Sequence, residues 1–265
     1  MSQQLFGLFP LKHGKYLPFA IVVIIGLILA IVVRGQYISY FNSLESSSNI
    51  PTIKKVAPTE ATPVPIAPVE TVVPAPPDSI SQLPLKVPFT PQAPLANWDP
   101  LHEEACEEAS LLMVYYFRTG QKFASPTEAD LELKKLVAWE EKNGYKVDLT
   151  AKELIDVARG YLKLSTGRII VDPTIDQLKA ELNSGRPVIV PAAGRELKNP
   201  YFTSPGPIYH MLVLKGYDTT SFIVNDPGTR RGENYHYGFK PIMDALHDWD
   251  SLNILNGQKA VVVFD

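Results

Sequence analysis

A single cysteine, Cys106, stands in a chain of 265 residues. One thiol closes no internal disulfide and builds no cysteine-rich zinc site, so it is either a small buried apolar residue or a reactive group. An excess of positive charge is missing too. The 25 Lys and Arg are set against 28 Asp and Glu, for a formal net charge of -3. That balance argues against nucleic-acid binding, which needs clustered cations to neutralise phosphates. There is no HExxH, no CxxC and no histidine cluster at ligand spacing, so no metal is expected. Nor is there a glycine-rich phosphate loop, and no cofactor is implied.

Proline is in excess, with 24 residues, and it is unevenly placed. Ahead of its densest stretch lies an uncharged run, Leu17 to Val33, between Lys12 and Lys15 on one side and Arg34 on the other. As a helix this run spans roughly 26 Å at about 1.5 Å per residue, enough for a hydrocarbon core. The following Arg34-Gly35-Gln36-Tyr37 offers no small-x-small cleavage site. Residues 17–34 are therefore expected to be an uncleaved transmembrane anchor. Lys12 and Lys15 place residues 1–16 in the cytoplasm and the remainder outside, as a single-pass membrane protein. Residues 35–84 carry Pro51, Pro58, Pro63, Pro65, Pro68, Pro74, Pro76, Pro77 and Pro84. Proline removes amide donors and fixes φ, so this segment reads as an extracytoplasmic Pro-rich stalk or as plain disorder.

A globular pattern occupies 85–265, roughly 180 residues and enough for one domain with its own core. Ser125-Pro126-Thr127-Glu128 marks a helix start, with a capping Ser and Pro at the first helical position. Thr150 with Glu153 and Thr174 with Gln177 repeat capping-box spacing. Strands are expected at Pro187 to Ala192, His210 to Tyr217, Ser221 to Asn225 and Ala260 to Phe264. Helices first and strands later indicate an α+β fold.

Glu104 to Phe117 reads as a helix stopped by Gly120, with Ala105, Ala109, Leu112, Met113 and Tyr116 on its inner face. Cys106 lies in its first turn, where the helix dipole favours thiolate. Glu103, Glu104, Glu107 and Glu108 work the other way, so activation needs a histidine. Of those beyond the apolar run, His102 precedes the helix, while His236 and His247 lie in a polar segment and a late helix. His210 opens a strand that is apolar on both faces, and so a central one. A hairpin through Asp218-Thr219-Thr220 would bring Asp226 beside His210, the placement that fixes an imidazole tautomer. The blander alternatives are a packed cysteine, a strand-edge histidine and an ordinary Asp-Pro turn.

Val87-Pro88-Phe89-Thr90-Pro91-Gln92, Trp98, and Ala105-Cys106-Glu107-Glu108-Ala109-Ser110 resemble the peptidase C39-like family, relatives of the double-glycine leader peptidases. Gly185 to Val190, Tyr209 to Tyr217 and Val224-Asn225-Asp226-Pro227 continue the match in order. The resemblance covers nearly all of 85–265 and implies a papain-like fold, with helices packed on a C-terminal antiparallel sheet. It also implies a peptide or protein substrate and four roles. Cys106 would be the nucleophile, His210 the general base and acid, and Asp226 the residue orienting His210. Gln92 would join the Cys106 backbone N–H in an oxyanion hole, and Asn225 is an alternative in the orienting role. Glu107 departs from the family pattern, standing where many relatives have glycine. No transporter follows, so leader processing is not implied. Two further readings remain open at this point: an amidase on cell-wall peptide cross-links using the same site, and a catalytically inactive binding module on a stalk.

Overall fold

The computed structural model describes residues 84–265. The expected cytoplasmic segment, anchor and nearly all of the stalk lie outside the described residues. Among the described residues, no helix is long and apolar enough to cross a membrane.

The helices start where side chains can receive orphan amides. The first, α1 (Pro100–Glu103), is capped by Asp99 and leads into α2 (Cys106–Thr119), which ends at Gly120 with φ 69°. Ser125 accepts the Glu128 amide at the start of α3 (Pro126–Lys142). Complete capping boxes open α4 (Ala151–Gly160) at Thr150 and α5 (Ile175–Asn183) at Thr174, satisfying two donors each. A short α6 (Phe239–Ala245) follows late in the chain.

Six strands form one fully antiparallel sheet: β1 (Gly167–Val171), β2 (Val188–Ala193), β3 (Tyr209–Tyr217), β4 (Ser221–Asn225), β5 (Tyr235–Gly238) and β6 (Ala260–Phe264). Their order is β1-β6-β2-β3-β4-β5. The α+β expectation holds, and the four expected strands occupy the inner positions. Two strands not anticipated, β1 and β5, form the edges. β3 is buried along its whole length. Its alternating side chains serve two cores: Met211 and Val213 face α2, α3 and α4, whereas Leu212 and Leu214 face α5 and α6. Helices therefore cover both faces of the sheet.

A strap at the start of the described chain reaches the sheet by crossing β3 and β4. The Leu85 amide donates to the Lys215 carbonyl, and the Lys215 ammonium lies 3.4 Å from the Val87 carbonyl. Asn225 Nδ2 donates to the same Val87 oxygen at 3.1 Å. Lys215 sits at a register shift between Leu214 and Gly216. At Gly216 a side chain is excluded, since a Cβ would lie 2.9 Å from the Pro84 Cα. The Gln92 amide then donates to the Pro227 carbonyl, which sets Gln92 at the end of β4.

Candidate active site

Cys106 is the first residue of α2, buried against β3. Its Sγ–H donates to Glu107 Oε2 at 2.9 Å, and the Met211 amide donates to Sγ at 3.3 Å. Burial pushes the thiol well above its ordinary pKa, and the Glu107 carboxylate pushes it further. The Met211 N–H works against both by stabilising thiolate.

Glu107 is held in turn by the Leu149 amide on Oε1, at 3.2 Å. Neither it nor Glu108 is on the solvent side of α2, although sequence alone treats them only as charges near a thiol. Both are buried, together with Glu140 of α3. Burial raises all three carboxyls above their usual range, and Glu140 is pushed up to about 12 by burial and then by Glu108. Glu108 Oε2 and Glu140 Oε1 find no donor among the described residues. The two carboxyls meet each other, and they are satisfied when one carries a proton.

The hairpin of β3 and β4 brings Asp226 to His210, with Nε2 to Oδ1 2.8 Å apart and both residues fully buried. Asp226 is caged by donors. The Gly228 amide reaches Oδ1 at 2.9 Å, while the Tyr237 hydroxyl and Asn199 Nδ2 reach Oδ2 at 2.6 and 3.0 Å. Burial alone would raise this carboxyl. His210, Tyr237 and the Gly228 amide outweigh it and hold Asp226 below the ordinary carboxylate range. Phe202 packs edge-on against the His210 ring at 5.2 Å. Gly228 is a close-approach position, because a Cβ there would lie 2.9 Å from His210 Cε1.

Cys106, His210 and Gln92 line one cleft of about 860 Å³, with Trp98, Tyr201 and Trp249 among its aromatic walls. Gln92 arrives with its amide already engaged, since Nε2 donates to the His102 and Glu103 carbonyls at 2.9 Å each. Its Oε1 is buried and finds no donor among the described residues. Donation to an oxyanion therefore requires release of one of these carbonyls.

The other candidates lie elsewhere. The Asn225 side chain points to the strap, not to His210, bonding Val87 and Lys215. His102 bridges Asp99 and Asp130 at 2.7 and 2.8 Å and ties the loop before α2 to α3. His236 pairs with Ser221 and Asp218, and His247 with the Gly257 carbonyl. Sequence reasoning missed Asn199, Tyr237 and Gly228. The aromatic alternation Tyr235-His236-Tyr237 was the one local signal for Tyr237. Among the described residues no group of three or more His, Cys, Asp or Glu is placed to hold a metal.

The profile of the Peptidase_C39 like family matches residues 84–253. No curated protein matches the chain. Among solved structures, a C39-like peptidase from Bacillus anthracis is similar at 17% identity and a TM-score of 0.45, over 68% of this chain and 94% of that one.

Proposed function

The chain belongs to the Peptidase_C39 like family, and on that premise we propose a cysteine peptidase that hydrolyses peptide bonds in a peptide or protein substrate. The observation that carries the proposal is that a His210–Asp226 pair, held rigid by its donor cage, opens onto the same cleft as the helix-start thiol of Cys106. Asp226 occupies His210 Nε2, which leaves Nδ1 to exchange protons. In the proposed cycle Nδ1 takes the Sγ proton and the sulfur electron pair attacks the scissile carbonyl. The oxyanion is received by the Cys106 backbone N–H, which lies in a first turn without an intrahelical acceptor, and by one Gln92 N–H after release. His210 then gives the proton to the departing amine. A water, deprotonated by His210, cleaves the thioester and returns the proton to sulfur.

The test is hydrolysis of a fluorogenic peptide library by the wild type and by Cys106→Ala and His210→Ala. Both variants should lose essentially all turnover while keeping the wild-type circular dichroism. Undiminished hydrolysis by Cys106→Ala would sink the proposal. One observation favours a second reading, a catalytically silent binding module: the resting thiol is spent on Glu107 rather than on an imidazole. Failure of iodoacetamide to alkylate Cys106 at neutral pH, with function retained in Cys106→Ala, would select it. The uncharged run at 17–33 supports an extracytoplasmic, membrane-tethered location. Carbonate extraction and protease shaving of intact cells test this: a protein released by carbonate, or protected from external protease, rejects it.

A further inference from the structure

If the peptidase reading is taken as a premise, the contact that Cys106 makes at rest has to be undone before the thiol can work. Among the described residues Sγ has two hydrogen-bond partners, the Met211 amide and Glu107 Oε2, and His210 is not one of them. The Glu107 contact is held in place from behind. The Leu149 amide occupies Oε1 at 3.2 Å, which leaves Oε2 to face the sulfur at 2.9 Å. Leu149 is itself buried and anchored: the Tyr209 hydroxyl donates to its carbonyl at 2.9 Å, and Asp248 Oδ1 takes the Ala151 amide at 2.8 Å. Three successive residues of β3 thus serve the nucleophile. Tyr209 steadies the clamp on Glu107, His210 carries the imidazole, and Met211 gives its N–H to sulfur.

The Sγ proton lies between the two side chains, and groups joined by one proton titrate as a unit. Other titratable groups surround them. Glu108 on α2, Glu140 on α3 and Tyr209 on β3 act on the pair, with Asp248 behind Tyr209. Glu104, Asp148, His210, Arg230 and Arg231 line the same cleft. Glu107 is the one carboxyl among the described residues that bonds Sγ.

We propose that Glu107 is a latch on the nucleophile: by holding the Cys106 proton it keeps the free protein in a resting state of low thiol reactivity, and the cycle starts when Sγ turns from Oε2 toward His210. Cys106 and Glu107 both line the cleft, so a peptide laid in it reaches the latch directly. Once Oε2 has been left, the Met211 N–H stabilises the thiolate and the proton passes to His210 Nδ1. Glu107 is a positioning residue. It sets the state of Cys106 and takes no part in the bonds made and broken in the substrate.

The pH dependence of alkylation reads the latch without turnover, since Cys106 is the only thiol. The thiolate attacks iodoacetamide, forming the S–C bond and releasing iodide, so the rate rises with pH through the titration of Cys106. In the full-length wild type the midpoint should lie above that of glutathione. Glu107→Gln keeps an oxygen for the Leu149 amide and turns an N–H toward sulfur, and it should lower the midpoint by about one pH unit or more. Glu108→Gln removes a buried carboxyl of the same helical turn that does not touch Sγ, and it should move the midpoint far less. A wild-type midpoint at or below glutathione's overturns the proposal, and that measurement needs no variant. A Glu107→Gln midpoint equal to the wild type's, or a shift of the same size in Glu108→Gln, also overturns it. Hydrolysis of a peptide library by the wild type separates the two claims. If no peptide is cleaved while the midpoints fall as expected, the peptidase reading fails and the latch stands. If peptides are cleaved and the wild-type midpoint is at or below glutathione's, the latch fails and the peptidase stands.

Discussion

Two groups of buried carboxylates lie on the helix side and the hairpin side of the site, and they are treated in opposite ways. Asp226 is surrounded by donors from His210, Gly228, Asn199 and Tyr237, and its pKa falls. Glu107, Glu108 and Glu140 are equally dry, have few donors and, among the described residues, no paired cation, and their pKa values rise. Burial is common to both, so burial does not decide the charge. The charge that faces the carboxylate, His210 for Asp226 and a second carboxyl for Glu107 and Glu140, decides it together with the N–H and O–H groups aimed at it. One region is built to keep a negative charge at pH 7, whereas in the other burial pushes the carboxyls toward their protonated forms.

Breaking the donor-rich side should have the largest effect. Asp226→Asn leaves shape nearly unchanged but removes the charge that fixes the His210 tautomer, and turnover should fall about a thousandfold. The same variant should lose roughly 3 kcal/mol of stability, as expected when one partner of a buried hydrogen-bonded pair is neutralised. Steady-state kinetics and urea unfolding check the two numbers, and an unchanged turnover would remove Asp226 from the site.

Neutralising the donor-poor side should do the reverse. The folded pKa of Glu140 is raised, so its contribution to stability is full below the ordinary carboxylate range and is lost as pH rises toward about 12. Glu140→Gln removes that loss. The variant should be more stable than wild type by about 2 kcal/mol at pH 9, with the gap narrowing toward pH 5. Urea midpoints at the two pH values measure it, and a gap that does not change with pH contradicts it. Asp226 has the opposite sign. Its contribution is present above the ordinary carboxylate range and is lost as pH falls through its lowered pKa.

The smallest expected effect sharpens the comparison at the donors themselves. Gly228→Ala places a Cβ against Phe202 and His210, at 2.7 and 2.9 Å before any adjustment. It should cost about 1 kcal/mol through overpacking and lower turnover several-fold while KM stays near the wild-type value. A shift confined to KM would mean that the loop at 228 meets substrate rather than steadying the imidazole.

The parts of this molecule that were legible in the sequence are those set by neighbours along the chain. Ser125, Thr150 and Thr174 announce their helices because a cap and its partner lie within one turn. The inner strands are continuous apolar runs. β1 and β5 were not legible because they are edges, short and half exposed, and half of their pattern reads as surface. Cys106, His210 and Asp226 could be singled out from the sequence and are brought to the site. The rest of the cage could not be, since Asn199 and Tyr237 come from separate segments that only the sheet order brings together. Glu107 and Glu108 are buried against what their charge suggests. Glu108 meets Glu140 of α3 and Glu107 is taken up by the Leu149 amide, and charge alone carries no sign of either contact.

The strap has a temporal consequence. Its anchors on Lys215 and Asn225 are 128 and 138 residues downstream of Val87, and the Met211 amide that touches Cys106 is 105 residues beyond it. As the chain leaves the ribosome, the thiol and its neighbour Glu107 therefore emerge long before the Met211 amide. Until β4 and the turn after it have been made, the Gln92 backbone N–H lacks the Pro227 carbonyl and His210 lacks the Asp226 carboxylate. A half-made chain carries its cysteine without the Met211 contact. The contact of the thiol with β3 is thus something that only the completed domain acquires.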